Sequence, residues 1–371
     1  RKDAKKTSRK DAKYAKLRML SELGVLGVFA CDIFLASLRP CVRFFPMKAI
    51  QVQGEKDSPT LVWDEADEPV CGPDEVLVDV RAAAVNRADL WQARGHYPPP
   101  FGASAILGLE MAGVVREVGA AVQTFGTGDR VCALLPGGGY AERVTVPAGM
   151  LLRLPADWSF AQGAAVPEVW YTAFINLFDE GALKAGETAL IHAGASGVGT
   201  AAIQLAVDAG ALALATAGSA EKVARCRELG AEWAVNYKEA DFVAEIMAAT
   251  DGAGVDVILD PVGGGYLARN IALLKPFGRL VNIANLGGSK GELDMGRVLG
   301  RRLRIVGSTL RGRPAAEKIA ITRRFEEQVW PKLADGRLRP IIDRVFPIAE
   351  AQAAHAYVLE NRNIGKVILE I

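Results

Sequence analysis

The sequence predicts an α/β protein with two domains, one mainly β and one built around a doubly wound parallel sheet. Three observations predict this class. From residue 47 to about residue 166, short apolar stretches such as EVLVDVRAAAV, DRVCALL and AERVTVP are separated by Gly, Pro and Asp, as in a compact barrel-like sheet. Beyond residue 167, helical stretches alternate with the apolar runs TALIHA, ALALATA, WAVNY, VDVILD and GRLVNIA, a pattern typical of a parallel sheet covered on both faces. A glycine-rich turn joins the first of these runs to a helix.

The order of these patterns predicts the limits of the domains. The mainly β domain begins with KAIQVQ and takes residues 47–166, and the parallel sheet takes residues 167–308. The tail contains a helical stretch at 315–333, the strand-like IIDRVFP, a helix near 348–360 and the strand KVILEI. We expect it to return to the first domain, which then consists of 47–166 plus 309–371. Further helices are expected at 168–180, 198–209, 219–229, 239–250 and 265–275.

Composition limits the possible partners. Half of the 371 residues are apolar and 23% are charged, enough to fill two hydrophobic cores. From Met47 onward there are 33 basic and 39 acidic residues, a net charge of −6. Because neutralising phosphates requires a basic face, nucleic acid is not expected as the main partner. A membrane helix needs roughly 18 or more uncharged apolar residues. The nearest candidate, the run from Leu23 to Leu38, is interrupted by Asp32, so no membrane partner is expected.

The cysteines indicate a reducing compartment. Cys31, Cys41, Cys71, Cys132 and Cys226 lie far apart and match no zinc or redox spacing. We therefore expect a cytoplasmic protein.

The first 46 residues differ from the rest. They open on RKDAKKTSRKDAKYAKL without a methionine, whereas MKAIQVQG at Met47 has the pattern of a first strand. We expect residues 1–46 to be an upstream or non-native extension and base no function on them. A targeting segment is the alternative, although its acidic residues and the lack of a small-residue cleavage site fit poorly.

A dinucleotide site is predicted between TALIHA and the helix TAAIQLAVDAG. The turn between them consists of Gly194, Ala195, Ser196, Gly197, Val198 and Gly199. Glycines let the backbone turn tightly, approach a pyrophosphate and direct helix N-terminal N–H groups at its oxygens. The turn departs from G-x-G-x-x-G because Ser196 stands where the second glycine belongs, and an ordinary glycine-rich loop is the alternative.

The residues about 20 positions later indicate which dinucleotide binds. A site for NAD usually has an acidic residue at the tip of the second strand, where it accepts from the ribose 2′-hydroxyl. Here Thr216 and Ala217 lead to Gly218, Ser219 and then Lys222, and these groups would bind a 2′-phosphate. Tyr237 could add a hydrogen bond or stack near the adenosine. NADPH is therefore the expected cofactor. In the alternative interpretation, Ser219 only caps a helix, and Lys222 and Tyr237 are surface residues.

The histidines do not indicate a zinc-dependent alcohol dehydrogenase. Catalytic zinc needs thiolate, imidazole or carboxylate ligands with one open position. The chain has only His96 in a loop, His192 in a strand and His355 in the terminal helix. Each is expected to be a packed or surface residue, and no metal site is predicted.

From Met47 to Ile371 the sequence resembles the medium-chain dehydrogenase/reductase family. The resemblance is carried by AAAVNRADLWQARGHYPPPFGAS, ILGLEMAGVVREVG, HAGASGVGTAAIQLA, TAGSAEKVARCRELGA, VNYKEADF and NRNIGKVILEI. Within that family it is most similar to the zinc-free NADPH:quinone oxidoreductases related to zeta-crystallin, in particular the tumour-suppressor-inducible branch. The resemblance implies a GroES-like catalytic domain and a Rossmann cofactor domain, with the substrate in the cleft between them.

The resemblance also implies roles for single residues. Zinc-containing relatives have a cysteine where this chain has Asn86 and a histidine where it has Leu109, so those two ligands cannot form, and Glu110 is expected to be structural. Asn86 and Tyr97 are implied beside the cleft, and Thr172 is similar in position to the family's nicotinamide-contacting threonine. Loops at the cofactor edge are implied at Asn285, Leu286 and Gly287 and at Ser308, Thr309, Leu310 and Arg311.

A substrate reduced without a Lewis acid must accept hydride readily. Quinones do so because the added charge delocalises over an aromatic ring, and Tyr97 could donate to the developing oxyanion. We therefore expect NADPH-dependent reduction of quinones by hydride transfer without metal. An NADPH-dependent enal, enone or enoyl-thioester reductase is the second possibility, and a non-catalytic NADPH-binding sensor or structural protein is a third, of another class. If VDVILD or GRLVNIA formed a sheet edge, two copies of the chain could pair along that edge, so a homodimer is expected.

Overall fold

The computed structural model describes residues 46–371, which form one compact unit. The prediction for the extension of residues 1–46 lies outside the described residues, apart from Pro46. The described part of the chain is α/β, which confirms the predicted class. None of its helices is both long and apolar enough to cross a bilayer.

The mainly β part consists of a hairpin and a seven-stranded sheet. The hairpin pairs β1 (Pro46–Glu55) with β2 (Ser58–Asp67). The sheet has the order β14-β15-β3-β4-β5-β7, with β6 also paired to β3. Its strands are β3 (Glu75–Val85), β4 (Glu110–Val118), β5 (Arg130–Leu134), β6 (Arg143–Pro147), β7 (Leu151–Arg153), β14 (Ile342–Pro347) and β15 (Lys366–Glu370). Alternate residues of β3 are apolar and buried, so one face of this strand packs into the core.

The second sheet is parallel and has the order β10-β9-β8-β11-β12-β13. Its strands are β8 (Thr188–Ile191), β9 (Leu212–Ala217), β10 (Trp233–Asn236), β11 (Val255–Asp260), β12 (Leu274–Asn282) and β13 (Arg304–Gly307). The chain order reverses between β8 and β11. In open sheets of this kind, ligands bind beyond the carboxyl ends of the strands at such a point.

Eleven α-helices surround the two sheets within residues 46–371. They are α1 (Arg87–Ala93), α2 (Phe160–Ala164), α3 (Pro167–Phe174), α4 (Gly197–Asp208), α5 (Ala220–Glu228), α6 (Phe242–Ala249), α7 (Leu267–Leu273), α8 (Met295–Arg301), α9 (Ala315–Gln328), α10 (Trp330–Ala334) and α11 (Ala351–Leu359).

Two predicted helices differ in detail from the structure. The helix predicted at 168–180 is an α-helix to Phe174 and then a π-helix over Ile175–Glu180. The helix predicted at 315–333 is divided between α9 and α10 because Pro331 has no N–H to donate to the preceding turn.

The C-terminal segment connects the antiparallel sheet with the glycine-rich turn. β15 pairs antiparallel with β3, with Val367 opposite Val85. One residue before β15, the N–H of Gly365 donates to the carbonyl of Ala195 at 2.8 Å. The tail therefore positions the turn against the first sheet. The domain limits themselves stay a prediction.

The prediction that VDVILD or GRLVNIA forms a sheet edge is wrong. These runs are β11 and β12, and each has a neighbouring strand on both sides. Their continuous apolar character has the usual cause, burial on both faces of a parallel sheet. The edges are β10 and β13, and Ile305 on β13 is 42% exposed. The homodimer itself stays a prediction.

Candidate active site

A cavity of about 580 Å³ lies at the carboxyl ends of the parallel strands. Its lining residues come from loops and helices next to both sheets. This volume is within the range of small-molecule sites. Many of the predicted site residues line it together: Asn86, Tyr97, Thr172, Ser196, Gly197, Val198, Gly199, Asn285, Leu286, Ser308 and Leu310. The others lie outside its lining: Gly194, Ala195, Gly218, Ser219, Lys222, Tyr237 and Gly287.

The glycine-rich turn presents free main-chain donors to the cavity. Ser196 is the N-cap of α4, and its hydroxyl accepts from the N–H of Gly199 at 3.0 Å, which explains a serine at this position. A Cβ at Gly199 would lie 2.3 Å from the carbonyl oxygen of Ala193, so no larger residue fits. The N–H groups of Gly197 and Val198 have no acceptor among residues 46–371. They are available for an anion at the helix N-terminus.

The residues of the second predicted anion site lie together at the carboxyl ends of β9 and β10. Ser219 caps α5 by accepting from the N–H of Lys222, and a Cβ on Gly218 would lie 2.8 Å from the Tyr237 hydroxyl. The Lys222 ammonium donates to the main-chain carbonyl of Asn361, whose side-chain oxygen accepts from the Arg87 guanidinium. Arg87 was missed in the sequence, although it directly follows Asn86. Unlike Lys222, Arg87 lines the cavity.

His192 lines the cavity as a packed, neutral residue. Its ring is 1% exposed, with Nδ1 2.9 Å from the Thr216 hydroxyl and Nε2 2.8 Å from the Asn270 side-chain oxygen. Asn270 donates from its amide nitrogen to Asp260, so its oxygen accepts from His192 Nε2. Burial lowers the pKa of His192 to about 4, and the ring carries no charge at neutral pH.

Lys366 lines the cavity and forms a buried ion pair with Glu110, which lies outside the lining. The Lys366 ammonium is 2.7 Å from Glu110 Oε1, and the two side chains are 3% and 0% exposed. The ammonium also donates to Asn86 Oδ1 at 2.7 Å and to the Val85 carbonyl at 3.0 Å, which uses all three of its N–H groups. Glu110 is equally engaged, since it accepts from the Asn86 amide and from the N–H of Glu168, each at 2.8 Å.

The cavity wall does not offer a zinc site. At the two positions identified in the sequence, Asn86 and Leu109 provide no thiolate or imidazole. The carboxylate of Glu110 is paired with the Lys366 ammonium. No group of three or more His, Cys, Asp or Glu side chains capable of holding a metal is found within residues 46–371. The residues present therefore do not fit a catalytic zinc.

Tyr97 is held in the cavity wall by Arg311. The guanidinium lies 5.2 Å from the tyrosine ring and donates to the Tyr97 carbonyl at 3.3 Å. It also donates to the Pro136 carbonyl at 2.8 Å and to the Gln92 side chain at 2.6 Å. Burial, together with the charge of Glu168, raises the pKa of Tyr97, so its hydroxyl stays protonated at neutral pH and can donate.

Glu168 is a cavity-lining carboxyl that sequence reasoning missed. It lies in the first turn of α3, one helical turn before Thr172. Burial raises the pKa of Glu168 to about 8, and the negative charge of Glu110 adds to the effect. The signal in the sequence was PEVWYT, which places a carboxyl and the threonine at an i, i+4 spacing on one helix face.

Comparisons with known protein families agree with the fold described above. Residues 72–156 match the alcohol dehydrogenase GroES-like domain, and residues 197–326 match the zinc-binding dehydrogenase family. The synaptic vesicle membrane protein VAT-1 homolog of Rattus norvegicus is 33% identical over 317 residues, which cover 81% of this chain and 78% of the relative. The chain belongs to the medium-chain dehydrogenase/reductase family. It is an oxidoreductase, with the predicted GroES-like domain and Rossmann-like parallel sheet.

Solved structures in this family include reductases of two kinds. The Escherichia coli quinone oxidoreductase complexed with NADPH has a TM-score of 0.76 at 26% identity, over 88% of this chain and 99% of that chain. The CurK enoyl reductase has a TM-score of 0.76 at 29% identity, over 88% of this chain and 98% of that chain. The fold therefore supports a nicotinamide-dependent reductase and leaves the acceptor to be decided by the residues of the cavity.

We expect Lys366→Met to destabilise the protein by about 3–5 kcal/mol, because Glu110 would remain buried without its cation. The free energy of unfolding by denaturant measures this loss. The double variant Lys366→Met, Glu110→Gln should recover part of it, since the uncompensated charge is then gone.

Lys332→Met is the matched control, because Lys332 pairs with Asp208 at 2.5 Å on the surface and is 32% exposed. This variant should lose no more than about 1 kcal/mol. Equal losses for the buried and the exposed lysine would show that the buried pair has no special role.

Proposed function

We propose that this protein reduces quinones by transfer of hydride from NADPH without a metal. The proposal is carried by one observation: where zinc-containing relatives have two ligands this cavity has Asn86 and Leu109, and the neighbouring Glu110 is paired with Lys366. Free N–H groups of the glycine-rich turn face the same cavity. An acceptor reduced there must take up hydride without help from a Lewis acid, as quinones do.

The residues of the cavity suit a nicotinamide dinucleotide, which supplies the hydride when bound. In the proposal, the N–H groups of Gly197 and Val198 hold the pyrophosphate, and Thr172 contacts the nicotinamide. The loops at Asn285–Gly287 and Ser308–Leu310 border the rest of the cofactor. Ser219, Lys222 and Tyr237 bind the 2′-phosphate, which selects NADPH. A bound NADPH in the E. coli relative supports this assignment.

The groups of the catalytic part orient and stabilise the acceptor. Tyr97, held by Arg311, donates a hydrogen bond to the oxygen on which negative charge develops. Asn86 is fixed by Glu110 and Lys366 and provides a rigid polar wall rather than a mobile contact. The protein thereby contributes orientation and electrostatic stabilisation.

A reductase of enals, enones or enoyl thioesters is the second candidate. Its support is the similarity to the CurK enoyl reductase, and such a substrate would need the same hydride and the same hydrogen bond from Tyr97. The non-catalytic alternative would show tight NADPH binding without turnover.

Two further features belong to the proposal. A homodimer would use β13, whose edge is open in the single chain. A reducing, cytoplasmic location is supported by Cys71, Cys132 and Cys226, which are all free thiols. Burial raises the pKa of the Cys226 thiol to about 12, so it does not react readily.

We expect NADPH oxidation to be fastest with benzoquinones or naphthoquinones. Steady-state rates with these acceptors are compared with rates for crotonyl thioesters and alkenals at equal NADPH. A kcat/KM higher for thioesters or alkenals than for every quinone would favour the second candidate. Binding of NADPH with no turnover of either class would leave only the non-catalytic alternative.

We expect Lys222→Ala to weaken NADPH binding by about 1.5–3 kcal/mol, roughly 10- to 150-fold in Kd, and to change NADH binding little. The reason is the loss of a charge-assisted contact with the 2′-phosphate. Fluorescence titration with both dinucleotides measures the effect.

Lys184→Ala serves as the control, since this exposed lysine lies at the opposite, amino end of the same sheet and should affect neither cofactor. Equal weakening of NADPH and NADH by Lys222→Ala would contradict a 2′-phosphate contact.

A further inference from the structure

The Glu168 carboxyl lines the cavity without a partner. It is partly exposed, and no donor within residues 46–371 hydrogen bonds to its side-chain oxygens. Glu168, Thr172 and Asn176 follow one another at i, i+4 spacing and all line the cavity. If Thr172 contacts the nicotinamide as proposed, the carboxyl lies one helical turn from the place where the acceptor is reduced.

The cations near Glu168 are committed to other acceptors. Lys366 uses its three N–H groups on Glu110, Asn86 and the Val85 carbonyl. Arg311 directs its guanidinium to Pro136, Gln92 and Tyr97. Lys318 donates to the Arg311 carbonyl at 3.1 Å. Within the described part of the chain, no ion pair therefore compensates a negative charge on Glu168.

Burial and the nearby acids favour the neutral form of Glu168 and outweigh the opposing charges of Lys366 and Arg311. Burial disfavours the carboxylate, and the nearby charge of Glu110 repels it, which together place the pKa of Glu168 at about 8. The N-terminus of α3 favours the ionised form, but this effect is weak and is outweighed. The charged and titratable groups whose charges act on this carboxyl, or on which it acts, are Glu110 on β4, Asp89 on α1, Lys366 on β15, Arg311 after β13, Lys318 on α9 and Tyr97 after α1.

We propose that Glu168 is the catalytic acid that gives the reduced acceptor its proton. This inference rests on the proposed function and adds the source of the proton to it. Addition of hydride to a quinone leaves the monoanion of a dihydroquinone. The O–H bond of Glu168 then breaks, and its proton forms the new O–H bond on the acceptor oxygen. One proton taken up from bulk solvent then restores the Glu168 acid. In each turnover NADPH, one quinone and one proton therefore give NADP⁺ and one dihydroquinone.

The pH dependence follows from the protonated form being the active one. The contribution of Glu168 is present below about pH 8 and is lost as the pH rises through the pKa of this carboxyl, which is about 8. Tyr97 titrates higher, since its pKa is raised above the ordinary value of 10. Asp89, whose pKa burial raises to about 6, titrates lower. The three groups can therefore be separated in a pH profile.

The test compares kcat/KM for a quinone from pH 5.5 to 10 in the wild type, Glu168→Gln and Glu168→Asp. Glu168→Gln keeps the shape of the side chain but has no acidic proton. We expect it to lower kcat/KM about 10²–10⁴-fold at pH 7 and to remove the alkaline limb near pH 8. The Kd of NADPH should stay the same, and Glu168→Asp should restore part of the rate. The solvent deuterium isotope effect should change in Glu168→Gln.

Glu326→Gln, which changes an exposed carboxyl on α9, is the control and should match the wild type throughout. A Glu168→Gln enzyme within about threefold of the wild type that keeps the alkaline limb overturns the role of Glu168 alone. If Glu168→Gln does not fold, a wild-type profile without a limb between pH 7 and 9 overturns it instead, and one with the limb supports it. A wild type that reduces no acceptor overturns both the function and this inference.

Discussion

The ion pair between Lys366 and Glu110 holds together the elements that form the cavity. Lys366 is the first residue of β15, and its ammonium donates to the end of β3 and to the N-cap residue of α1. Glu110 is the first residue of β4, and its carboxylate accepts from an N–H in the first turn of α3. Such a pair is buried at a considerable desolvation cost, and only its complete set of hydrogen bonds offsets that cost. Lys366 therefore has no N–H left to donate to a substrate, and the Glu110 carboxylate accepts from three donors.

These hydrogen bonds determine which charged groups of the cavity have a partner. Three cations, Arg87, Arg311 and Lys366, line it, yet each is bonded to other protein acceptors. Glu168, a partly exposed carboxyl in the same lining, has no ion pair within residues 46–371, and its pKa is raised to about 8. Tyr97 is neutral for a similar reason. In the proposed function, the cavity offers free N–H groups to the phosphates of the cofactor and two uncharged acids to the acceptor.

Much of the fold could be predicted from local patterns, whereas long-range contacts could not. Alternating strands and helices, the glycine-rich turn and the final strand depend on residues close together in the sequence. The acceptors of Lys366 come from Val85, Asn86 and Glu110, more than 250 residues away, and no spacing reveals such a contact. The sheet edges were mistaken because an apolar strand does not show where in a sheet it lies. Arg87 and Glu168 were passed over because a charge in a helix is usually solvated.

The zinc content of the purified protein tests most directly whether an ion pair stands in place of a metal. Protein produced in zinc-supplemented medium and freed of loosely bound metal is analysed for zinc per chain, together with the Glu110→Gln variant. If the ion pair stands in place of a metal, both proteins should contain far less than one zinc ion per chain. One zinc per wild-type chain that disappears in Glu110→Gln would show that Glu110 is a metal ligand and would contradict the mechanism described above.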